Sequence, residues 1–162
     1  MKNKIFNGIF FIALLVGLFT VMSFASFDRK TSENADTIDV PYEYPVLPGT
    51  SEWVALGTYQ NRLASCQIPE DTLQKLSTDA LVQTILNYPF KMNLYAYEDL
   101  QKGYERLRAH FNGLQELEYR EDGLAVLQSY SQAVALLEES EKTVKEFFLE
   151  DLYRIYSNDL AS

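Results

Sequence analysis

Between Ile68 and Pro89, in IPEDTLQKLSTDALVQTILNYP, apolar residues recur at helical spacing between start and stop signals. The stretch predicts two consecutive helices. Pro69 suits a first helical position, where its missing N–H is no loss, and Glu70 and Asp71 put negative charge at the positive end of the helix dipole. Leu73 and Leu76 then face inward. Ser77 or Thr78 can cap a second helix whose Leu81, Val82, Ile85 and Leu86 form one wide apolar face, with Gln83 opposite. Tyr88-Pro89 ends it, because a residue before proline is pushed out of the α region.

The same periodicity organises the chain on either side. Upstream, Thr50 or Ser51 can cap a helix that begins near Glu52, carries Trp53, Leu56, Tyr59 and Leu63 on one face, and ends near Cys66. Before it, PYEYPVLP (41–48) has three prolines in eight residues, which favours an extended segment. Tyr42 and Tyr44 would dock on the core, or else form an exposed binding strip. From Ser26 to Val40 the chain is mostly polar and reads as a flexible tether.

Downstream, Phe90–Tyr97 (FKMNLYAY) has strand-like composition, but no partner strand exists and a lone strand cannot satisfy its backbone. It reads as a tight aromatic connection, with Phe90, Met92, Leu94, Tyr95 and Tyr97 packed on the flanking helices. Glu98 or Asp99 then starts a helix in which Leu100, Tyr104, Leu107, Phe111 and Leu114 share a face. Gly103 inside it marks close approach of another helix backbone. Asn112-Gly113 signals a C-cap, Leu114–Arg120 adds further turns, and Gly123 offers another break. From Leu124 to Asn158 an apolar stripe continues without proline or glycine. It is one helix or two joined near Ser140. Two fit better, since a single helix of about 35 residues would run near 50 Å, too long for a compact domain to cover. The pattern as a whole predicts an all-α, single compact domain of five to seven helices over residues 51–158, an irregular or solenoid-like array of helix pairs.

Composition changes this picture at the N-terminus. Lys2 and Lys4 precede an apolar run, and Ser23-Phe24-Ala25 places small residues where a signal peptidase cuts, so residues 1–25 read as a signal peptide cleaved before Ser26. The alternative is an uncleaved membrane anchor, because Ile5–Phe27 is nearly long enough to span a bilayer. Cleavage would take the formal charge from −9 to −11 by removing the two lysines. Such a charge opposes binding to nucleic acid or to bare anionic lipid. Cys66 is the only cysteine, so no intramolecular disulfide can form; it reads as a small buried apolar residue beside Leu63.

Candidate chemistry is sparse. There is no phosphate-binding glycine loop and no G-x-S-x-G, and the single His110 lies on a helix beside Phe111. A Cys66–His110 dyad is formally available without any protease-like context. One His and one Cys cannot build a zinc cage; Glu116, Glu118, Glu121 and Asp122 could collect an incidental cation, but ELEYRED reads better as a solvated turn with Arg120 paired to Glu116. Catalytic, cofactor-binding and metal-ligating residues are therefore all read as none.

At STDALVQTILNYP and FNGLQELEYRED the chain resembles exported bacterial proteins of unknown function, over roughly Trp53 to Tyr130. The resemblance implies a domain that folds alone, and no activity, ligand or cofactor. The expected function is an exported binding or interaction module, secreted or at the cell envelope, with a protein, peptide or glycan partner. A carboxylate-dependent extracellular hydrolase is the alternative, as is an inhibitor or immunity-like partner of another secreted protein. A cleft with convergent carboxylates would favour the enzyme, and a shallow groove with exposed aromatics the binder.

Overall fold

Side-chain caps mark where most helices of the N-terminal half begin. The computed structural model describes residues 36–159; the expected signal segment and residues 26–35 of the tether lie outside them. Thr50 caps α1 (Ser51–Ala55) by accepting from the Trp53 N–H, and Thr58 caps α2 (Tyr59–Ser65) by accepting from Asn61. The short α3 (Glu70–Leu73) follows Pro69, which stands at the cap position instead of inside the first turn. Ser77 caps α4 (Thr78–Leu86), and Asp99 caps α5 (Leu100–His110). Between them lies a 3-10 helix, Lys91–Tyr95, then α6 (Asn112–Tyr119), α7 (Gly123–Val134) and α8 (Val144–Asp159) complete the order. The described residues are all-α, with one isolated parallel bridge, Ile38 to Leu76.

Helix α4 is the centre. Its Leu81, Val82, Ile85 and Leu86 are buried as the pattern predicts, but so are Thr78, Ala80 and Thr84. A helix covered on nearly all sides must sit inside a shell. That shell is α6, α7 and α8, which all pack on α4, while α5 bridges α6 and α8. Contacts between helices so far apart in sequence rule for the irregular array over a solenoid, where each unit touches only its neighbours.

The segment before α1 closes the remaining side of α4. Thr84, fully buried, donates from Oγ1 to the Ala80 carbonyl (2.7 Å) and accepts from the Tyr42 N–H (2.9 Å). Its own carbonyl accepts from the Tyr44 hydroxyl at 3.2 Å. Tyr44 is 6 % exposed, so the tyrosines are docked and do not form a binding strip. The expected tether is also shorter than Ser26–Val40: Ile38 donates to the Lys75 carbonyl (2.8 Å), accepts from the Ser77 N–H (2.9 Å) and packs on the core.

Three breaks differ from the pattern. The expected first helix is two, because Gly57 takes the left-handed conformation (φ 71°) behind α1 and Thr58 restarts the chain; this raises the count to eight α-helices among the described residues. Arg62 secures the corner, donating to the Trp53 carbonyl (3.3 Å) with its guanidinium 5.6 Å from the indole centre.

Asn112-Gly113 opens α6 instead of capping α5; the kink belongs to Phe111, which is extended (φ −136°, ψ 112°). Asn112 pairs with both backbone groups of Ile68 (3.1 and 2.7 Å), and Gln67 reaches across to the Asn112 N–H (3.1 Å) and the His110 carbonyl (2.8 Å). These amides hold two helix junctions together. Residues 124–158 are two helices, but the second begins at a capping box of Thr143 and Glu146, with Glu146 accepting from the Thr143 N–H at 2.8 Å, and not at Ser140.

Candidate functional site

Tyr88 leaves α4 just before Pro89 and turns into an aromatic cluster. Its ring stacks on Phe111 with centroids 3.9 Å apart and meets Phe90 and Tyr44 at 5.9 and 6.0 Å. The residue is 1 % exposed, yet its hydroxyl has no hydrogen-bond partner among the described residues. Burial, and after it the proximity of Cys66 and Tyr59, pushes the phenol pKa up. The hydroxyl therefore stays protonated and remains a donor.

Tyr88 and Leu107 form the floor of a small recess between α2, the 3-10 helix and α5. Tyr59 and Leu63 line it from α2, and Asn93 and Tyr97 from the aromatic connection. Arg106 and His110, one turn apart on α5, complete the rim. The volume is about 10 Å³, room for about one water-sized group. No Asp or Glu is part of the lining.

The walls are held from behind. Asn93 donates from Nδ2 to the Tyr59 hydroxyl (2.9 Å), and Tyr95 donates to Asp151 on α8 (3.0 Å). Leu94 is fully buried, and Gly103 lets α5 approach its backbone: a Cβ at Gly103 would lie 2.0 Å from the Leu94 carbonyl oxygen. Close approach at Gly103 is as the sequence implies, although the partner is a 3-10 turn. Of the five side chains expected to pack inward from this connection, only Phe90 and Leu94 do so; Met92, Tyr95 and Tyr97 keep large exposed areas.

The other candidates are dispersed. Cys66 is fully buried, with burial raising its thiol pKa, whereas His110 is exposed on the rim, so the dyad does not assemble. Glu116 pairs with Arg120 as expected (2.9 Å), but the turn is not simply solvated: Arg120 also donates to the Leu76 and Leu73 carbonyls (2.6 and 2.9 Å), tying α6 to the end of α3. Glu118 accepts from the Tyr104 hydroxyl (2.7 Å) and Arg108 (2.6 Å), and Asp122 accepts from Thr78 (2.8 Å). These acids are thus committed to structure. Among the described residues no group of His, Cys, Asp and Glu is placed to hold a metal, and no helix is long and apolar enough to cross a membrane.

The residues that do converge, Tyr59, Tyr88, Asn93, Tyr97 and Arg106, were not singled out by motif, since no spacing rule links them. One signal was present. Arg106 has Lys102 and His110 at i−4 and i+4 and Gly103 and Ala109 at i−3 and i+3, so no acid lies within a turn on its face. In the structure it makes no ion pair or hydrogen bond among the described residues. No family model, curated protein or solved structure matches the chain.

Proposed function

We propose that the chain is a non-enzymatic binding module, exported to the cell envelope or beyond it, whose contact surface is the recess between α2, the 3-10 helix and α5. The observation that carries this reading is the shape and chemistry of the recess. Partly exposed tyrosines, Tyr59 and Tyr97, rim a shallow floor of Tyr88 and Leu107, with no Asp or Glu in the lining. At about 10 Å³ it is far below the several hundred Å³ of a pocket that engulfs a substrate. A rim of aromatics around so small a recess suits a ligand that lies on the surface and inserts at most one small group.

The hydrolase alternative needs two carboxylates facing one another across a bound substrate. None lines the recess, which favours the binding reading.

The test has two parts. Arrays of peptides and glycans probed with the purified chain should identify ligands whose binding is lost in a Tyr59→Ala/Tyr97→Ala double variant that keeps the far-ultraviolet circular dichroism of the parent chain. Ligands that bind the double variant equally well, or turnover of a glycoside or peptide substrate, would refute the assignment. Export is tested separately, by mass spectrometry of secreted and envelope fractions. The expected species begins at Ser26, and an intact Met1 form in the membrane fraction would show an anchor in place of a cleaved signal.

A further inference from the structure

We propose that the turn joining α7 to α8 is a second docking surface, sharing no residue with the recess, and that it takes a basic amphipathic segment of another polypeptide. The segment's apolar side chains rest on Leu136, Leu137, Val144 and Phe147, and its lysines or arginines meet Glu138 and Glu141.

A single exposed leucine needs no explanation, but apolar side chains gathered at one place mark a contact surface. Leu136, 87 % exposed, and Leu137 form the α7 side of the turn, where their N–H groups donate to the Ala133 and Val134 carbonyls (3.3 and 3.0 Å). Val144 and Phe147, three residues apart at the start of α8, share a face and are both exposed. Lys142 draws the two sides together: its ammonium is 2.6 Å from Glu139 and 5.9 Å from the centre of the Phe147 ring. Leu137 is two residues from Glu139, within about 7 Å along the backbone. All four apolar side chains therefore sit at one end of the α7–α8 pair. The turn is also closed on itself, with the Glu141 N–H donating to the Glu138 carbonyl (2.9 Å) and the Glu138 N–H to the Glu141 carboxylate (3.0 Å). A surface already ordered loses little entropy on binding.

The charge at this end is negative. Between residues 138 and 147, Glu138, Glu139, Glu141 and Glu146 stand against Lys142 and Lys145. Both lysines are engaged within the molecule: Lys142 lies between Glu139 and Glu150 with its side chain 7 % exposed, and Lys145 donates to Asn87 (3.0 Å). Glu146 is committed to Thr143. Glu138 and Glu141 stay exposed, without an ion pair among the described residues. An apolar patch edged by open carboxylates selects its partner by charge. A second copy meeting it on the same face would set carboxylate against carboxylate, and an anionic lipid surface would be repelled. A segment that carries apolar residues beside lysine or arginine satisfies both parts of the surface.

The experiment titrates the full chain, by calorimetry, with an 18-residue peptide of leucine and lysine whose leucines fall on one helical face. Two counterparts replace its lysines by glutamate or its leucines by serine. The leucine–lysine peptide should bind about tenfold or more tighter than either, since each counterpart loses one half of the match. Its affinity should fall about tenfold in Leu136→Ser/Phe147→Ser, and fall in the same direction in Leu136→Ser alone, where the exposed side chain has little packing to lose. In Glu138→Gln/Glu141→Gln the affinity should drop and its salt dependence should weaken. Tyr59→Ala/Tyr97→Ala should bind the peptide as the parent chain does, so failure of the recess reading and failure at this turn are separate results. Equal binding of the three peptides, no binding of the leucine–lysine peptide, or affinity unchanged in the turn variants would overturn the inference. So would a dimer in light scattering, or binding to phosphatidylcholine vesicles, that Leu136→Ser abolishes, because the face would then belong to a second copy or to lipid.

Discussion

Gly103→Ala sets two effects of opposite sign against each other. In an exposed helix interior the change stabilises by about 1 kcal/mol, because alanine loses less backbone entropy. At position 103 the new Cβ would stand 2.0 Å from the Leu94 carbonyl oxygen and 2.8 Å from its carbon. An ordinary carbon–oxygen contact is about 3.3 Å, so α5 and the 3-10 helix would have to part by about 1 Å. Neither side yields cheaply: Leu94 is fully buried, and the 3-10 helix is tied to Tyr59 through Asn93 and to Asp151 through Tyr95. Overpacking against backbone belongs at the upper end of the usual range, about 3 kcal/mol, which leaves a net loss of about 2 kcal/mol after the propensity gain. Urea titration followed by circular dichroism and by the fluorescence of the single Trp53 measures it, with the exposed Glu105→Ala on the same helix as a control expected to change stability by less than about 0.5 kcal/mol. Because Asn93 lines the recess, the variant should also lose ligand affinity. A midpoint that rises for Gly103→Ala would refute the close approach of α5 to the Leu94 backbone.

Four further outcomes follow from the packing. Ile85→Ala, in the covered middle of α4, should cost about 2–5 kcal/mol in the same titration. Gln83, placed on the polar face by pattern, donates to the Tyr130 hydroxyl at 2.9 Å, so Gln83→Ala should cost about 1 kcal/mol, and a silent substitution would show that bond to be without weight. A chain starting at Pro41 should be less stable than one starting at Asp36 by about 1–2 kcal/mol, since it lacks the two backbone bonds of Ile38; equal urea midpoints would return that segment to a tether. Hydrogen bonds from Thr143 hold the Glu146 carboxyl below its ordinary pKa, so its contribution is present above the unfolded value of about 4.3 and is lost as pH falls through the lower folded value. Thr143→Ala should therefore cost about 1 kcal/mol at neutral pH, with the difference from the parent chain narrowing in acid; a difference independent of pH would remove Glu146 from the cap.

What was legible in the sequence is what is written locally. Ser77, the α4 stripe and the Tyr88-Pro89 stop lie within a dozen residues of one another, and helix geometry converts such spacing directly into a cap, a buried face and an end. The break at Gly57 escaped because Trp53, Leu56, Tyr59 and Leu63 keep helical spacing straight through it, so a wide apolar face masked the glycine. Brackets between distant segments had no local sign at all: Gln67 with Asn112, and Arg120 with the carbonyls of Leu73 and Leu76, look like ordinary polar residues until the fold brings them together.

The recess combines both situations. Pro89 was readable as a helix terminator, and that same restriction on the residue before it keeps Tyr88 from continuing α4. Freed from the helix, the ring stacks on Phe111 and its hydroxyl is buried without a partner among the described residues. The stop signal therefore also places the floor of the site. Its donors arrive from elsewhere: Tyr59, assigned inward by spacing, is left on the rim once Gly57 splits its helix, and Arg106 stands there without an acid because its own helical face supplies none. Each departure from local regularity, the glycine break, the proline stop and an arginine without an ion pair among the described residues, converges on one surface. Exposed aromatic rings and a cation thus gather at one place, and that coincidence is the physical reason to look for a ligand there.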